Sequence, residues 1–413
     1  METDVAERVR AFYEAHPYPP PVGDLEGYRR RWDDPQRRRA DHHLHWPARP
    51  FRDDPSILIA GCGTSQAAKH ALRWPAARVT AIDFSAASVQ ATLELKRKHA
   101  LDNLEVRELP IERVGELGAT FDQIVCTGVL HHLADPAAGL AALRAALAPR
   151  GAMHLMVYAP YGRAGVYMVQ ELCRRAGIGP TSGEIAELAA ALTLLPPEHP
   201  LAALLRAAPD FRDPAALADA LLHPQDRAYS VPQLYELLEG AGLSFVRWVR
   251  QAPYSVRCGI MQRLPQRARL GRLPAREQHA VAELYRGTML RHSLIAGRAD
   301  DPAARPLATG DGPSDQHVPV RLPETVHIEE RLPRGAAAVL INRGHTHTDL
   351  FLPIDAQEAR LFAAIDGRRS VGAIARAEGL VECARPFFQR LYEHDQIVFD
   401  ASAAGAPVVD RGA

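Results

Sequence analysis

Between Ser56 and Tyr158, short apolar runs alternate with helical patterns. Ile57-Leu58-Ile59-Ala60 runs into Gly61-Cys62-Gly63. Arg78-Val79-Thr80-Ala81-Ile82 ends at Asp83. Leu104–Arg107 is a weaker third run, Phe121–Cys126 a fourth and Ala152–Tyr158 a fifth. Helical patterns fall between them at Lys69–Trp74, from the capping Ser85 to about Ala100, and at Pro136–Leu147, where Leu140, Leu143 and Leu147 are in phase. This alternation predicts βαβ units and a parallel sheet.

The flanks carry a different texture. Residues 1–55 open with Val5, Val9 and Phe12 at helical spacing behind a capping Asp4, then break at His16-Pro17-Tyr18-Pro19-Pro20-Pro21. Residues 160–230 are Ala/Leu-rich and helical, with proline breaks. Ser230 caps a helix over Val231–Glu239, and Leu243–Val249 is a strand that closes the sheet. A long helical pattern covers Ala275–Ala296. Residues 297–316, rich in Gly, Pro, Asp and Ala without periodicity, form a linker. Beyond it, strands at Val318–Leu322, Val326–Leu332, Ala337–Ile341 and Ile397–Phe399 accompany helices from Asp355 to Ile365, Ser370–Ala377 and Ala384–His394. The expected domains are therefore 1–55 as an N-terminal lid, 56–270 as an α/β domain with a helical insertion at about 160–230, a helix at 271–296, the linker at 297–316, and a small α+β unit at 317–402.

Composition narrows the function. The 413 residues balance 49 Lys+Arg against 49 Asp+Glu, which removes the basic excess that a nucleic-acid binder would show. The five cysteines form no CxxC pair, so no zinc cluster or redox dithiol is expected, and their low, odd number fits a reducing cytoplasm. No apolar run of about 18 residues suggests a membrane span. His42, His43 and His45 lie close together but alternate with acids and arginines, so a solvated or lid segment is expected there rather than a metal site. The same weighing applies to His345 and His347, which would share a face in a strand.

The strongest chemical signal is Gly61-Cys62-Gly63 after the first strand, followed by Asp83 at the tip of the second. A glycine turn admits a ligand to the backbone, and an acid at that tip can accept both hydroxyls of a ribose. Dinucleotides and S-adenosylmethionine (SAM) both need this arrangement. A dinucleotide turn wants a third glycine where this chain has Gln66, which disfavours an NAD(P)-dependent oxidoreductase.

The segments ILIAGCGTS, VTAIDFS, FDQIVCTGVLHHLADP and LAPRGAMHLMVY resemble the class I SAM-dependent methyltransferases over residues 50–160. The resemblance implies a Rossmann-like seven-stranded sheet with an antiparallel edge hairpin, and methyl transfer leaving S-adenosylhomocysteine. Carried over, Gly61, Cys62 and Gly63 line the methionine moiety, Asp83 binds the ribose diol and Phe84 packs on adenine. Thr127 and Gly128 flank the methyl group. Pro110 stands where the family often has an acid facing the adenine amino group, so backbone atoms of Ile111 or the Glu112 carboxylate would substitute.

His131 and His132 follow the fourth strand, where an imidazole could take a proton from the methyl acceptor. Tyr161 and Arg163 leave the fifth strand at the same sheet edge and are expected to touch substrate. The Tyr13…Pro17-Tyr18-Pro19 segment is similar to one that precedes the fold in some bacterial methyltransferases and lies over the SAM site, making Tyr13 and Tyr18 candidates to close it. Thr127-Gly128-Val129-Leu130 lacks the Pro-Pro-aromatic loop of the nucleic-acid subgroup, so a nucleic-acid acceptor is not expected. The leading expectation is methylation of O, N or C of a small molecule. The rivals are a peptide or protein methyltransferase, whose winged-helix-like C-terminal unit holds the substrate, and a non-catalytic SAM-binding regulator. The sequence leaves the oligomeric state open, a homodimer being one option.

Overall fold

Ile57, Leu58 and Ile59 have no exposed surface, and they belong to the strand with neighbours on both sides. The computed structural model describes residues 2–20, 22–207, 213–307 and 313–402. Its main sheet contains β1 (Ser56–Ala60), β2 (Arg78–Asp83), β3 (Leu104–Glu108), β4 (Phe121–Thr127), β5 (Leu147–Tyr158), β6 (Leu243–Trp248) and β7 (Arg291–Arg298) in the order β3-β2-β1-β4-β5-β7-β6. β1 to β5 pair in parallel and β7 pairs antiparallel with β5. The expected seven-stranded Rossmann-like sheet is thus present. Every parallel strand ends on the same edge, and that edge carries the Gly61 turn, Asp83, Thr127 and Tyr158.

Local chemistry sets the helix ends. Ser85 accepts from the Ser88 amide to start Ala86–Lys98, Asp135 accepts from Ala138 to start Pro136–Ala146, and Ser230 with Gln233 forms a capping box before Val231–Gly240. Asp4, expected as a cap, instead lies inside the helix Glu2–Ala15.

Two compact units result, one of residues 1–31, 54–244 and 283–301, the other of 32–53, 245–282 and 302–413. In the first, helices Ala164–Ala176, Ser182–Leu192, Pro200–Ala207 and Pro214–Leu221 form the insertion. Val166, Val169, Ile185, Leu188 and Leu217 make its core, and Phe12 of the first helix joins them. Helical segments that each carry an apolar stripe can bury it only against each other or against the sheet.

In the second unit, β8 (Val318–Arg321) pairs antiparallel with β12 (Ile397–Asp400), and β9 (Thr325–Ile328), β10 (Ala338–Asn342) and β11 (Phe351–Ile354) form a separate antiparallel sheet. Phe387, Phe388 and Leu391 of the helix Val381–Glu393 share a core with Leu361 and Phe362 of Ala356–Ala363 and Val371 and Ile374 of Val371–Glu378. Residues 308–312 of the expected linker lie outside the described residues.

Three expectations are corrected. The helical pattern over 275–296 stops at Arg286, and Arg291–Arg298 is β7; Gly287 at φ +61° ends the helix, and Leu294, Ile295 and Ala296 are buried against β5. The Arg37–His45 stretch is not solvated. It lies in the helix Pro35–His45, capped by Asp34, with His42, His43 and His45 all buried. His45 donates through Nδ1 to the Asp41 carbonyl at 2.7 Å, and His43 Nε2 lies 3.4 Å from Asp400. His345 and His347 sit outside any strand.

The buried imidazoles predict an acid-labile fold. Burial pushes His42 down to about 3, and His43, His279 and His394 to about 4. Unfolding frees them to protonate near 6.5, so the unfolded chain binds more protons below that pH. Stability is then full above about pH 6.5 and is lost as pH falls towards 4. Thermal melts across this range are expected to show a steadily falling Tm; a flat profile would refute the neutral assignments.

Candidate active site

The turn after β1 is held by main-chain bonds. The amides of Gly61 and Cys62 both donate to the Ile82 carbonyl, at 2.9 and 3.0 Å. Gly61 has φ +74°, and a Cβ there would meet Val129 Cγ2 at 2.3 Å. The close approach of this turn to the residue two past β4 therefore requires glycine. Gly63, at φ +51°, donates its amide to Asp83 Oδ2 at 2.9 Å, and the Ser85 amide donates to Oδ1 at 3.0 Å.

Asp83 is buried, with both oxygens anchored and lone pairs remaining on each. Burial raises its pKa, while the backbone donors at Ser85 and Gly63 oppose the rise. Cys62 is also buried. Burial raises its thiol pKa far above the ordinary value, so it packs and does not react.

At the end of β4, Gly128 has φ +79° and donates to the Met156 carbonyl at 3.2 Å, and Thr127 Oγ1 accepts from Gln66 Nε2. Phe84 is half-buried, edge-on to Tyr13 with ring centroids 6.5 Å apart. Ile111 is buried at the start of a 3₁₀ turn over Ile111–Leu117, while Glu112 is exposed. The N-terminal segment reaches the same place: Thr64 Oγ1 donates to the Pro19 carbonyl at 2.7 Å, and a Cβ on Gly63 would come within 3.5 Å of the Tyr18 carbonyl.

Beyond β4 and β5 lies a buried polar cluster. His131 and His132 occupy a short 3₁₀ turn, Leu130–His132. His131 is wholly buried, neither ring nitrogen has a hydrogen-bond partner among the described residues, and its ring lies 4.0 Å from that of Tyr158. Burial, with smaller repulsion from His132 and Arg163, drives its pKa well down, so the ring is neutral. Tyr13 Oη donates to Asp219 Oδ1 at 3.1 Å. Arg163 is buried, with its guanidinium 3.6 Å over the Tyr158 ring and Nη2 3.2 Å from Asp226 Oδ2, which also accepts from Gln170 Nε2 at 3.0 Å.

The structure thus brings together Tyr13, His131, His132 and Arg163. It does not bring in Tyr161, which is 44% exposed and makes no ring or hydrogen-bond contact with them among the described residues. Sequence reasoning missed Tyr158, Asp219, His223, Gln225 and Asp226. The one available signal was His223-Pro224-Gln225-Asp226, a polar interruption in an Ala/Leu-rich stretch.

Residues 58–153 match the family model described as a methyltransferase domain. Residues 58–153 carry a methyltransferase domain. An uncharacterized protein of Synechococcus sp. is 35% identical over 261 residues, which is 60% of this chain and 60% of that protein. The chain therefore aligns with less than two thirds of that relative's length. Among solved structures, the fold is similar to PKMT2 from Rickettsia typhi in complex with AdoHcy, with a TM-score of 0.62 at 14% identity over 89% of this chain and 76% of that one. A second structure of PKMT2 gives a TM-score of 0.60 at the same identity. In this methyltransferase domain the Gly61 turn and Asp83 occupy adjoining strand ends, and the polar cluster lies past the neighbouring pair, β4 and β5.

Proposed function

We propose that the whole protein transfers a methyl group from SAM to O, N or C of a small molecule. The observation that carries this is the pairing of an anchored carboxylate at the β2 tip with a buried, mixed polar cluster beyond β4 and β5. The present residues fit SAM. Asp83 keeps free lone pairs for a diol, the Gly63 position has no side chain to block approach, and buried Ser65 Oγ has no partner among the described residues. Gly61, Cys62, Gly63, Asp83, Phe84, Ile111, Thr127 and Gly128 would hold it. When bound, SAM supplies an electrophilic methyl group whose departing electron pair returns to sulfur.

The chain's own residues would do the rest. Displacement at a methyl carbon needs alignment first, and a base where the nucleophile carries a proton. His131 or His132 supplies that base. Tyr13 and Tyr18, on the segment touching the Gly63 turn, would close the site against water, and Arg163 would face substrate. The insertion at 160–230 serves as a substrate cap, and the second unit as an accessory domain.

No described helix is long and apolar enough to cross a membrane. A cytoplasmic location is proposed from the low, odd number of cysteines, which suits a reducing compartment. The test is to supply methyl-labelled SAM to a cell extract with the protein. Label in the small-molecule fraction is expected. Label only in peptide or protein would move the acceptor to that class, and SAM binding without transfer would make the protein a regulator.

A further inference from the structure

The His132 and His223 rings lie against each other with centroids 3.9 Å apart and planes tilted by 34°, both at least nine-tenths buried. The backbone of one residue, Gln225, meets both rings. Its carbonyl lies 2.7 Å from His132 Nδ1, so that nitrogen carries the proton and donates. Its amide donates to His223 Nδ1 at 3.0 Å, so that nitrogen is bare. A neutral imidazole has one N–H and one lone pair. The two rings are therefore held in opposite tautomers: His132 offers a lone pair at Nε2, and His223 an N–H at Nε2.

His223 stays neutral, since burial pushes its pKa down to about 2, and its Nε2 has no hydrogen-bond partner among the described residues. A buried donor left unpaired is costly and calls for an acceptor. One nitrogen of each ring and a carboxylate oxygen of Asp219 lie within 4.8 Å of one another, a grouping that could hold a metal ion. The His223 tautomer argues against it, because a protonated Nε2 has no lone pair to give.

We propose that His132 and His223 form a tautomer-matched pair that recognises a protic nucleophile, an O–H or N–H, adjacent to a hydrogen-bond acceptor such as a carbonyl or ring nitrogen. This rests on the methyltransferase reading and narrows its acceptor class. His223 Nε2–H binds the acceptor atom, and His132 Nε2 receives the proton of the nucleophile as the new bond to carbon forms. The positive charge lost from the sulfonium reappears as the His132 imidazolium. Asp219, positioned by Tyr13 Oη, lies beside that charge. The other rings facing His132 are His131, Tyr13 and Tyr158, all uncharged or held so by burial.

Nitrogen-15 NMR of the histidine-labelled full chain, without ligand, reads the tautomers directly, with signals assigned by their loss in His132→Gln and His223→Gln. The expected result is protonated Nδ1 on His132 and protonated Nε2 on His223; the same tautomer on both rings would overturn the proposal. In the labelled-SAM assay, His132→Gln is expected to lose at least a hundredfold in transfer. His223→Phe should lose at least tenfold in protein that stays folded by circular dichroism; it removes the Nε2 donor and also the acceptor of the Gln225 amide, so some fall in Tm accompanies it, whereas His223→Gln, which keeps an N–H, should recover part of the loss. A His223→Phe protein that transfers normally would also overturn it. Failure of S-adenosylhomocysteine to bind the wild type would instead sink the methyltransferase reading and leave the tautomer result standing.

Discussion

Replacing Asp83 by asparagine is expected to weaken S-adenosylhomocysteine binding by about tenfold to 150-fold, equivalent to about 1.5–3 kcal/mol for hydrogen bonds to a charged group. The carboxylate accepts from Gly63 and Ser85 and keeps lone pairs for the ribose hydroxyls. Asparagine preserves the shape but turns one acceptor into a donor, which then faces an N–H. Alanine removes both anchors and leaves two amides of a buried turn unpaired, so Asp83→Ala is expected to lower Tm as well as affinity. Titration calorimetry on both variants separates the effects. Unchanged affinity in Asp83→Asn would remove Asp83 from the cofactor site.

Gly61→Ala is expected to be strongly destabilising. The added Cβ meets Val129 Cγ2 at 2.3 Å, in a backbone conformation at φ +74° that disfavours any side chain. Left-handed backbone costs about 1–2 kcal/mol and overpacking about 1–3 kcal/mol, so a loss of about 2–5 kcal/mol is expected. Gly118→Ala is the control: its φ is +61°, but nothing lies within 4 Å of a new Cβ, so only the backbone part applies. Adding Val129→Ala to Gly61→Ala relieves the steric part alone and should recover a fraction of the stability. Melts showing Gly61→Ala no worse than Gly118→Ala would contradict the close approach of the two strand ends.

The sequence pattern carried the parallel strands well because each is a short apolar run ended by turn chemistry. The caps at Ser85, Ser230 and Asp355 were readable for the same local reason. β7 was not. Leu294, Ile295 and Ala296 continue the helical phase of the preceding segment, and only pairing with β5 makes them a strand. His42, His43 and His45 looked solvated from their charged neighbours, yet the fold buries all three and holds His42 and His43 neutral, a tertiary outcome that composition does not encode.

The candidate site divides along the same line. The Gly61 turn and Asp83 are local to strand ends, so their spacing announced them. The His132–His223 pair joins residues 91 positions apart through the backbone of Gln225, and no local pattern signals a contact made by an insertion folding back over the sheet.

Titration calorimetry of the wild-type chain with S-adenosylhomocysteine tests the central claim most directly. Saturable binding at a single site, weakened at least tenfold by Asp83→Asn, is the predicted result. No detectable heat of binding from a folded wild-type protein, across temperatures at which the enthalpy cannot vanish throughout, would contradict it.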